Sequence, residues 1–236
     1  MSRSVRVHTR QPLAAGDRIR LEAGPARHLV RVLRREHGDP VTVFNGDGSE
    51  YPGTIVEARA PDTCLVELGQ AVHPAVESPL DITLIQAIGR GDRMDWCIQK
   101  ACELGVSAIL PVMTERTEVR LSGARAEKRQ AHWQGVAIAA CEQSGRCRVP
   151  AIAEPQPLTM IEHERGVSLV LDPEAEASLA EITLPDPPSF RIAVGPEGGF
   201  SEAERILLRQ RGFSGLRLGP RILRTETAGP ALIAAM

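Results

Sequence analysis

Apolar residues follow two different rhythms along this chain. Over the first seventy or so positions they come in short runs rich in β-branched residues, at 40–44 (Pro-Val-Thr-Val-Phe), 53–58 (Gly-Thr-Ile-Val-Glu-Ala) and 63–68 (Thr-Cys-Leu-Val-Glu-Leu). Such runs read as strands, and Asn45-Gly46-Asp47-Gly48 between the first two is a strong turn signal. Ahead of them, residues 25–35 set Leu29, Val30, Val32 and Leu33 among arginines, the spacing of a short amphipathic helix. His73-Pro74 and Ser78-Pro79 interrupt regular structure at 70–79, so the chain divides into a small β-rich domain, 1–73, and a larger one, 74–236.

From Leu80 onward, strand and helix patterns alternate. Residues 81–88 are almost continuously apolar, as a strand buried on both faces must be. Residues 92–104 place Met94, Cys97, Ile98, Ala101 and Leu104 on one helical face, and Gly105 stands where a helix C-terminus is usually capped. A strand over 106–112 completes a βαβ unit. A long helix is expected over about 123–144, then strands at 167–171, 190–194 and 214–218. The larger domain is therefore α/β with a mostly parallel sheet, whose ligand belongs at the carboxyl ends of the strands.

Composition narrows the class. With 236 residues, 42% hydrophobic and 25% charged, this is an ordinary globular chain. Net charge is −2 and only seven residues are aromatic, which argues against a protein that binds single strands by stacking bases. The neutral total hides an uneven distribution. Residues 1–35 carry nine arginines against Asp17 and Glu22, and residues 116–148 carry seven basic residues against three acids. Residues 154–186 carry eight acids against Arg165. A basic face suited to a polyanion fits inside that total. The five cysteines (64, 97, 102, 141 and 147) form no CxxC pair, and the six histidines have no metal-ligand spacing, so no metal site is expected and the thiols read as buried and reduced. The N-terminal sequence lacks an apolar signal segment, and no stretch is long enough to span a membrane, so a cytoplasmic location is expected.

Two strand ends carry the chemistry. In the first, Arg191-Ile-Ala-Val194 runs into Gly195-Pro-Glu-Gly-Gly199, and Ser201 with Glu204 forms a capping-box pattern that starts a helix. A Gly-rich turn between strand and helix brings backbone N–H groups close to a ligand. The loop has neither the GxxxxGK[ST] of a phosphate loop nor the GxGxxG and following acid of a dinucleotide site. In the second, Leu216-Arg-Leu-Gly219 leads into Pro220-Arg-Ile-Leu-Arg-Thr-Glu-Thr227 and an apolar tail, with Thr225 or Thr227 available as a helix cap. So many charged and hydroxyl groups are costly to bury unpaired, and they suit the lining of a site.

Gly195-Pro-Glu-Gly-Gly-Phe-Ser201 and Leu218-Gly-Pro-Arg-Ile-Leu-Arg-Thr-Glu-Thr-Ala228 resemble the C-terminal signatures of the bacterial 16S ribosomal RNA uracil-N3 methyltransferases. This is the RsmE family of the SPOUT, or trefoil-knotted, methyltransferases. Gly91-Asp-Arg-Met-Asp-Trp-Cys-Ile-Gln-Lys-Ala-Cys-Glu-Leu-Gly-Val106 and Glu142-Gln-Ser-Gly-Arg146 fit the same pattern. His28-Leu-Val-Arg-Val-Leu33 and Val43-Phe-Asn-Gly-Asp-Gly48 resemble the family's PUA-like RNA-binding domain. The resemblance spans essentially the whole chain. Gly229-Pro230 departs from it, since a better helix former is usual there.

The resemblance implies a small PUA-like β-barrel followed by a knotted parallel-sheet domain that binds S-adenosylmethionine in three loops. By position these hold Leu171 and Asp172; Val194, Gly195, Pro196, Glu197, Gly198 and Gly199; and Leu218, Gly219, Ile222, Leu223, Arg224, Thr225, Glu226, Thr227 and Ala228. It also implies a homodimer, for which the tail 231–236 and the helix over 130–141 offer apolar surface, and a substrate that is ribosomal RNA or the assembled small subunit. Uracil N3 is a poor nucleophile until its proton is removed. Glu226, Glu197 and Glu142 are candidate bases, and Arg146 and Arg224 are candidates to stabilise charge on the uracil oxygens. Arg6, Arg10, Arg18, Arg20, Arg27, Arg31, Arg34 and Arg35 are candidates for RNA phosphates. Three competing readings remain: a SPOUT methyltransferase with another target nucleotide, a nucleotide-dependent α/β enzyme, and a noncatalytic RNA-binding module. The nucleotide enzyme lacks its motifs, and the RNA-binding module leaves both strand-end loops without a purpose.

Overall fold

The computed structural model describes residues 4–59 and 62–236. The chain forms two compact units. One takes the residues up to Glu77 together with Cys141–Val149, and the other takes Ser78–Ala140 and Pro150–Met236.

The first unit is built on strands β1 (Val5–His8), β2 (Arg18–Arg20), β3 (Pro40–Phe44), β4 (Glu50–Arg59) and β5 (Thr63–Leu68). They form one mixed sheet in the order β1-β3-β4-β5-β2, parallel only between β1 and β3. Cys64, Val66 and Leu68 alternate inward along β5, joining Val7, Val41, Val43 and Ile55 in the core. The three strands expected from the β-branched runs are present. β1 and β2 are too short and too interrupted by arginine to show a period of their own, and their pairing partners hold them in place. The helix expected over 25–35 is shorter and wider: α1 (Ala23–Arg27) runs straight into a π-helical turn, His28–Val32. The widened turn breaks the 3.6-residue register, so Leu29 is buried while Val32 and Leu33 are exposed. The turn ends at Arg34, whose φ of +53° is one that glycine ordinarily supplies.

Residues 141–149 close this unit through a carboxylate clamp. Glu77 Oε2 accepts from Arg146 Nε (2.9 Å) and Nη2 (2.8 Å), and Glu77 Oε1 accepts the backbone N–H groups of Cys147 and Arg148, both at 3.0 Å. Arg6 adds a bond to the Arg146 carbonyl (2.9 Å), pairs with Glu50 and lies over the Phe44 ring.

The second unit contains β6 (Asp81–Ala87), α2 (Arg93–Glu103), β7 (Ala108–Met113), most of α3 (Ala124–Ser144), β8 (Ala151–Ile152), β9 (Gln156–Pro157), β10 (Val167–Leu171), β11 (Ser189–Val194), α4 (Glu202–Gln210), β12 (Phe213–Leu216) and α5 (Thr225–Ala235). Its sheet is parallel throughout, in the order β12-β10-β11-β6-β7-β8, with β9 also on β7. β12 forms the outer edge, yet α5 returns to pack on α2, β6 and β11. On the way, the backbone at Arg217 is bonded to Ala177 and bridged to Ser178, in the connection between β10 and β11. A trefoil crossing needs such a return. The apolar tail expected to face a second copy is partly used up here, because Leu232 and Ile233 are buried within the unit.

Ser201 and Glu204 form the capping box read from the sequence: Glu204 N–H donates to Ser201 Oγ (3.3 Å) and Ser201 N–H to Glu204 Oε2 (2.8 Å). Ser201→Ala should lower stability by about 1 kcal/mol, read from the midpoint of a urea unfolding curve. The cap expected of Thr225 or Thr227 is not made. Arg224 is the N-cap, without a side-chain bond, and Thr225 is the first helical residue, its hydroxyl engaged elsewhere. All five cysteines are free and buried. Among the described residues, no helix is long and apolar enough to cross a membrane, and no cluster of three His, Cys, Asp or Glu side chains is placed to hold a metal.

Candidate active site

The carboxyl ends of β10, β11 and β12 open into one cleft of about 700 Å³. It lies where an open parallel sheet places its ligands and has the size of a small-molecule site. Three connections build it. After β10, Asp172 donates its N–H to Leu216 O (3.0 Å) and accepts from Arg205 Nη1 (3.2 Å), tying the first loop to β12 and to α4. After β11, the turn closes with Gly199 N–H on Pro196 O (2.8 Å), and Gly199 adopts a φ of +68° that an L side chain rarely takes. A Cβ on Gly195 would lie 3.2 Å from two ring carbons of Phe200, so the bare backbone at 195 lets the turn fold over that ring. After β12, the third connection runs to the first turn of α5.

Of the residues assigned from sequence to the cofactor, Leu171, Asp172, Val194, Gly195, Pro196, Glu197, Gly199, Leu218, Gly219, Ile222, Leu223, Arg224, Thr225, Glu226 and Ala228 line the cleft. Gly198 and Thr227 are not in the lining; the Gly198 carbonyl instead accepts from Arg116 Nη1 at 2.5 Å. Residues not anticipated also line it, among them Arg93, Phe200, Arg205, Leu208, Arg209 and Phe213. For Arg205, Leu208 and Arg209 a signal existed: once Ser201 caps α4, their spacing puts them on one helical face.

The four residues assigned to catalysis divide evenly. Arg224 and Glu226 line the cleft. Arg146 and Glu142 belong to the first unit, where Arg146 is only 6% exposed in the Glu77 clamp and Glu142 Oε1 accepts the His8 N–H at 2.9 Å. Burial raises the Glu142 carboxyl above its ordinary range, against the pull of that hydrogen bond. Glu197 pairs with Arg93. Glu226 differs from both: its Oε2 is buried and finds no hydrogen-bond donor among the described residues. Of the arginines assigned to RNA, Arg10, Arg18, Arg20, Arg27, Arg31 and Arg34 are exposed, although Arg18 also pairs with Glu67. Arg35 is half-buried near Asp39, and Arg6 is committed to Glu50 and Phe44.

S-Adenosylmethionine fits this lining. Apolar walls from Leu171, Val194, Leu218 and Leu223 suit an adenosine, backbone groups of three loops converge, and Glu226 on the wall carries a buried oxygen that has no donor among the described residues.

Residues 76–236 match the RNA methyltransferase domain family, and residues 25–69 match the RNA methyltransferase PUA domain. The ribosomal RNA small subunit methyltransferase E of Buchnera aphidicola from Schizaphis graminum is 32% identical over 98% of this chain and 94% of its own. The Neisseria gonorrhoeae ribosomal RNA small subunit methyltransferase E, solved bound to S-adenosylmethionine, superposes with a TM-score of 0.92. It is 37% identical over 99% of this chain and 97% of its own. A Legionella pneumophila putative methyltransferase in complex with the same cofactor gives a TM-score of 0.94 at 35% identity, covering 99% and 96%. With the return of the chain after β12, the three-loop cleft and this end-to-end similarity together, the chain belongs to the ribosomal RNA small subunit methyltransferase E family.

Proposed function

We propose that this protein is an S-adenosylmethionine-dependent methyltransferase that methylates N3 of a uridine in 16S ribosomal RNA. The observation that carries the reading is the one cleft shared by three strand-end loops, lined by Glu226, whose buried Oε2 has no donor among the described residues. Bound there, S-adenosylmethionine supplies an electrophilic methyl group. The chain's own residues must hold the uracil in line with it and take up the N3 proton. Glu226 is the proton acceptor in this reading, since Glu197 and Glu142 already have partners of their own. Exposed Arg224, on the cleft wall, stabilises negative charge on the uracil oxygens. Arg146, held by Glu77, keeps the first unit closed.

The RNA is held by phosphate contacts from Arg10, Arg20, Arg27 and Arg31. Six of the seven aromatics are buried, and Trp96 at 43% exposure is the exception, so stacked bases contribute little. The reading includes a homodimer, with Trp96 on α2 as exposed apolar surface, and action in the cytoplasm on ribosomal RNA or the small subunit. Calorimetry should show S-adenosylmethionine binding with no response to NAD or ATP. RNA affinity should fall steeply between about 50 and 200 mM salt, and a flat response would remove the arginine contacts. Nucleoside mass spectrometry of 16S ribosomal RNA from cells lacking the protein should show loss of N3-methyluridine, and its persistence would overturn the substrate.

A further inference from the structure

From Thr225 and Gly195 on the cleft wall, a chain of buried polar groups runs inward to Gln86 and Cys97, which lie behind the lining. Gln86 on β6 is 1% exposed. Its Nε2 donates to the Ala87 carbonyl (3.2 Å) and to Thr225 Oγ1 (3.1 Å), and its Oε1 accepts from Cys97 Sγ on α2 (3.4 Å). Thr225 Oγ1 donates in turn to the Gly195 carbonyl.

Each direction in this chain is fixed by the one before. The Ala87 carbonyl can only accept, so the amide nitrogen of Gln86 must face it and the amide oxygen must face Cys97. Burial pushes the Cys97 thiol up to about 12, so it stays protonated and donates. Thr225 then receives a hydrogen from Gln86, and its own single hydrogen is left for Gly195. The chain links α2, β6, α5 and the turn after β11, and it ends on the first residue of the Gly-rich loop.

Gly229 makes the reach possible. Thr225 and Gly229 are four residues apart and share a face of α5, while Leu84 and Gln86 share a face of β6. A Cβ at 229 would lie 2.9 Å from Leu84 Cδ1. Its absence lets α5 sit close enough for Thr225 to meet Gln86. The glycine that departs from the family's usual helix former thus has a packing reason.

We propose that Gln86 is a positioning residue for the cofactor site, acting through Thr225 to hold the Gly195 carbonyl and the start of α5 in the geometry that binds S-adenosylmethionine. The proposal rests on the methyltransferase reading and deepens it. Gln86 touches no ligand; it couples two of the three cofactor loops to the central strand of the sheet.

The test is calorimetric titration of S-adenosylmethionine into the full chain as wild type, Gln86→Met, Thr225→Val, Thr225→Ser and the Gln86→Met/Thr225→Val double variant, alongside KM and kcat for methylation. Gln86→Met and Thr225→Val should each weaken cofactor binding about tenfold, the effect of one lost buried hydrogen bond. KM for the cofactor should rise more than kcat falls. Thr225→Ser should bind like wild type, and the double variant should bind no worse than the weaker single one, because one chain is broken either way. The proposal is overturned if Gln86→Met binds within twofold of wild type, if the two losses add in full, or if Thr225→Ser binds as weakly as Thr225→Val. Should Gln86→Met fail to fold by circular dichroism, the Thr225 pair decides alone. A wild type that binds no S-adenosylmethionine would instead remove the functional reading itself.

Discussion

Glu226→Gln should cut the methylation rate constant by about 100-fold to 10,000-fold, the range spanned by a lost general base, while S-adenosylmethionine and RNA still bind. Glutamine keeps the shape of the side chain and removes only its capacity to take a proton. Uracil N3 must shed its proton before its lone pair can form a bond, and Glu226 alone of the three candidate carboxylates combines a place on the cleft wall with an oxygen lacking a donor among the described residues. The defect should therefore depend on how acidic N3 is. RNA carrying 5-fluorouridine at the target, whose N3 is more readily ionised, should recover much of the lost rate, and the variant should speed up with rising pH as the base ionises in solution. Single-turnover methylation of the two RNAs checks this. An equal loss on both substrates would end the proton-acceptor role. A collapse of cofactor affinity in the variant would show instead that the carboxylate faces the cofactor's positive charge.

Glu77→Ala should destabilise the first unit by about 3–5 kcal/mol, because it removes the carboxylate from a buried ion pair rather than replacing the pair. Arg146 is buried, and the same carboxylate also receives the N–H groups of Cys147 and Arg148. Arg146→Met should be milder, since it removes the more deeply buried charge and leaves a part-exposed Glu77 still accepting those two backbone N–H groups. Urea unfolding of the three proteins measures the order. A Glu77→Ala midpoint equal to wild type would dissolve the clamp. The comparison also bears on catalysis: loss of activity in Arg146→Ala has a structural explanation until it is matched against stability.

How far the sequence reaches can be read residue by residue. The strand-end loops at 195–199 and 218–228 were legible because an apolar run that stops at a glycine or at a cluster of charges has few other uses in a parallel sheet, whereas the loop after Leu171 came only with the family resemblance. Gln86 was invisible for the opposite reason. It is one polar residue inside an apolar strand, and its worth depends on Thr225, 139 residues away. Arg6 and Arg10 look alike on paper, yet Arg6 is stacked on Phe44 and paired with Glu50 while Arg10 is exposed. Local charge counts cannot separate them, because burial is decided by strand pairing. Glu142 and Arg146 carry the family pattern, but the helical period of α3 gives no sign that its last turn joins a different unit from its first. The pattern marked them as important without saying for what.

That membership has a consequence for how the chain is made. A ribosome releases residues in order, and domains generally fold as they emerge. Here the first unit lacks part of itself until Val149 has been synthesised, by which point α2, β7 and α3 have all been made. Glu77 waits for Arg146 across about seventy residues of nascent chain. The amino-terminal unit therefore closes only after much of its neighbour has been made, and a gene fragment ending at residue 77 encodes an unfinished domain.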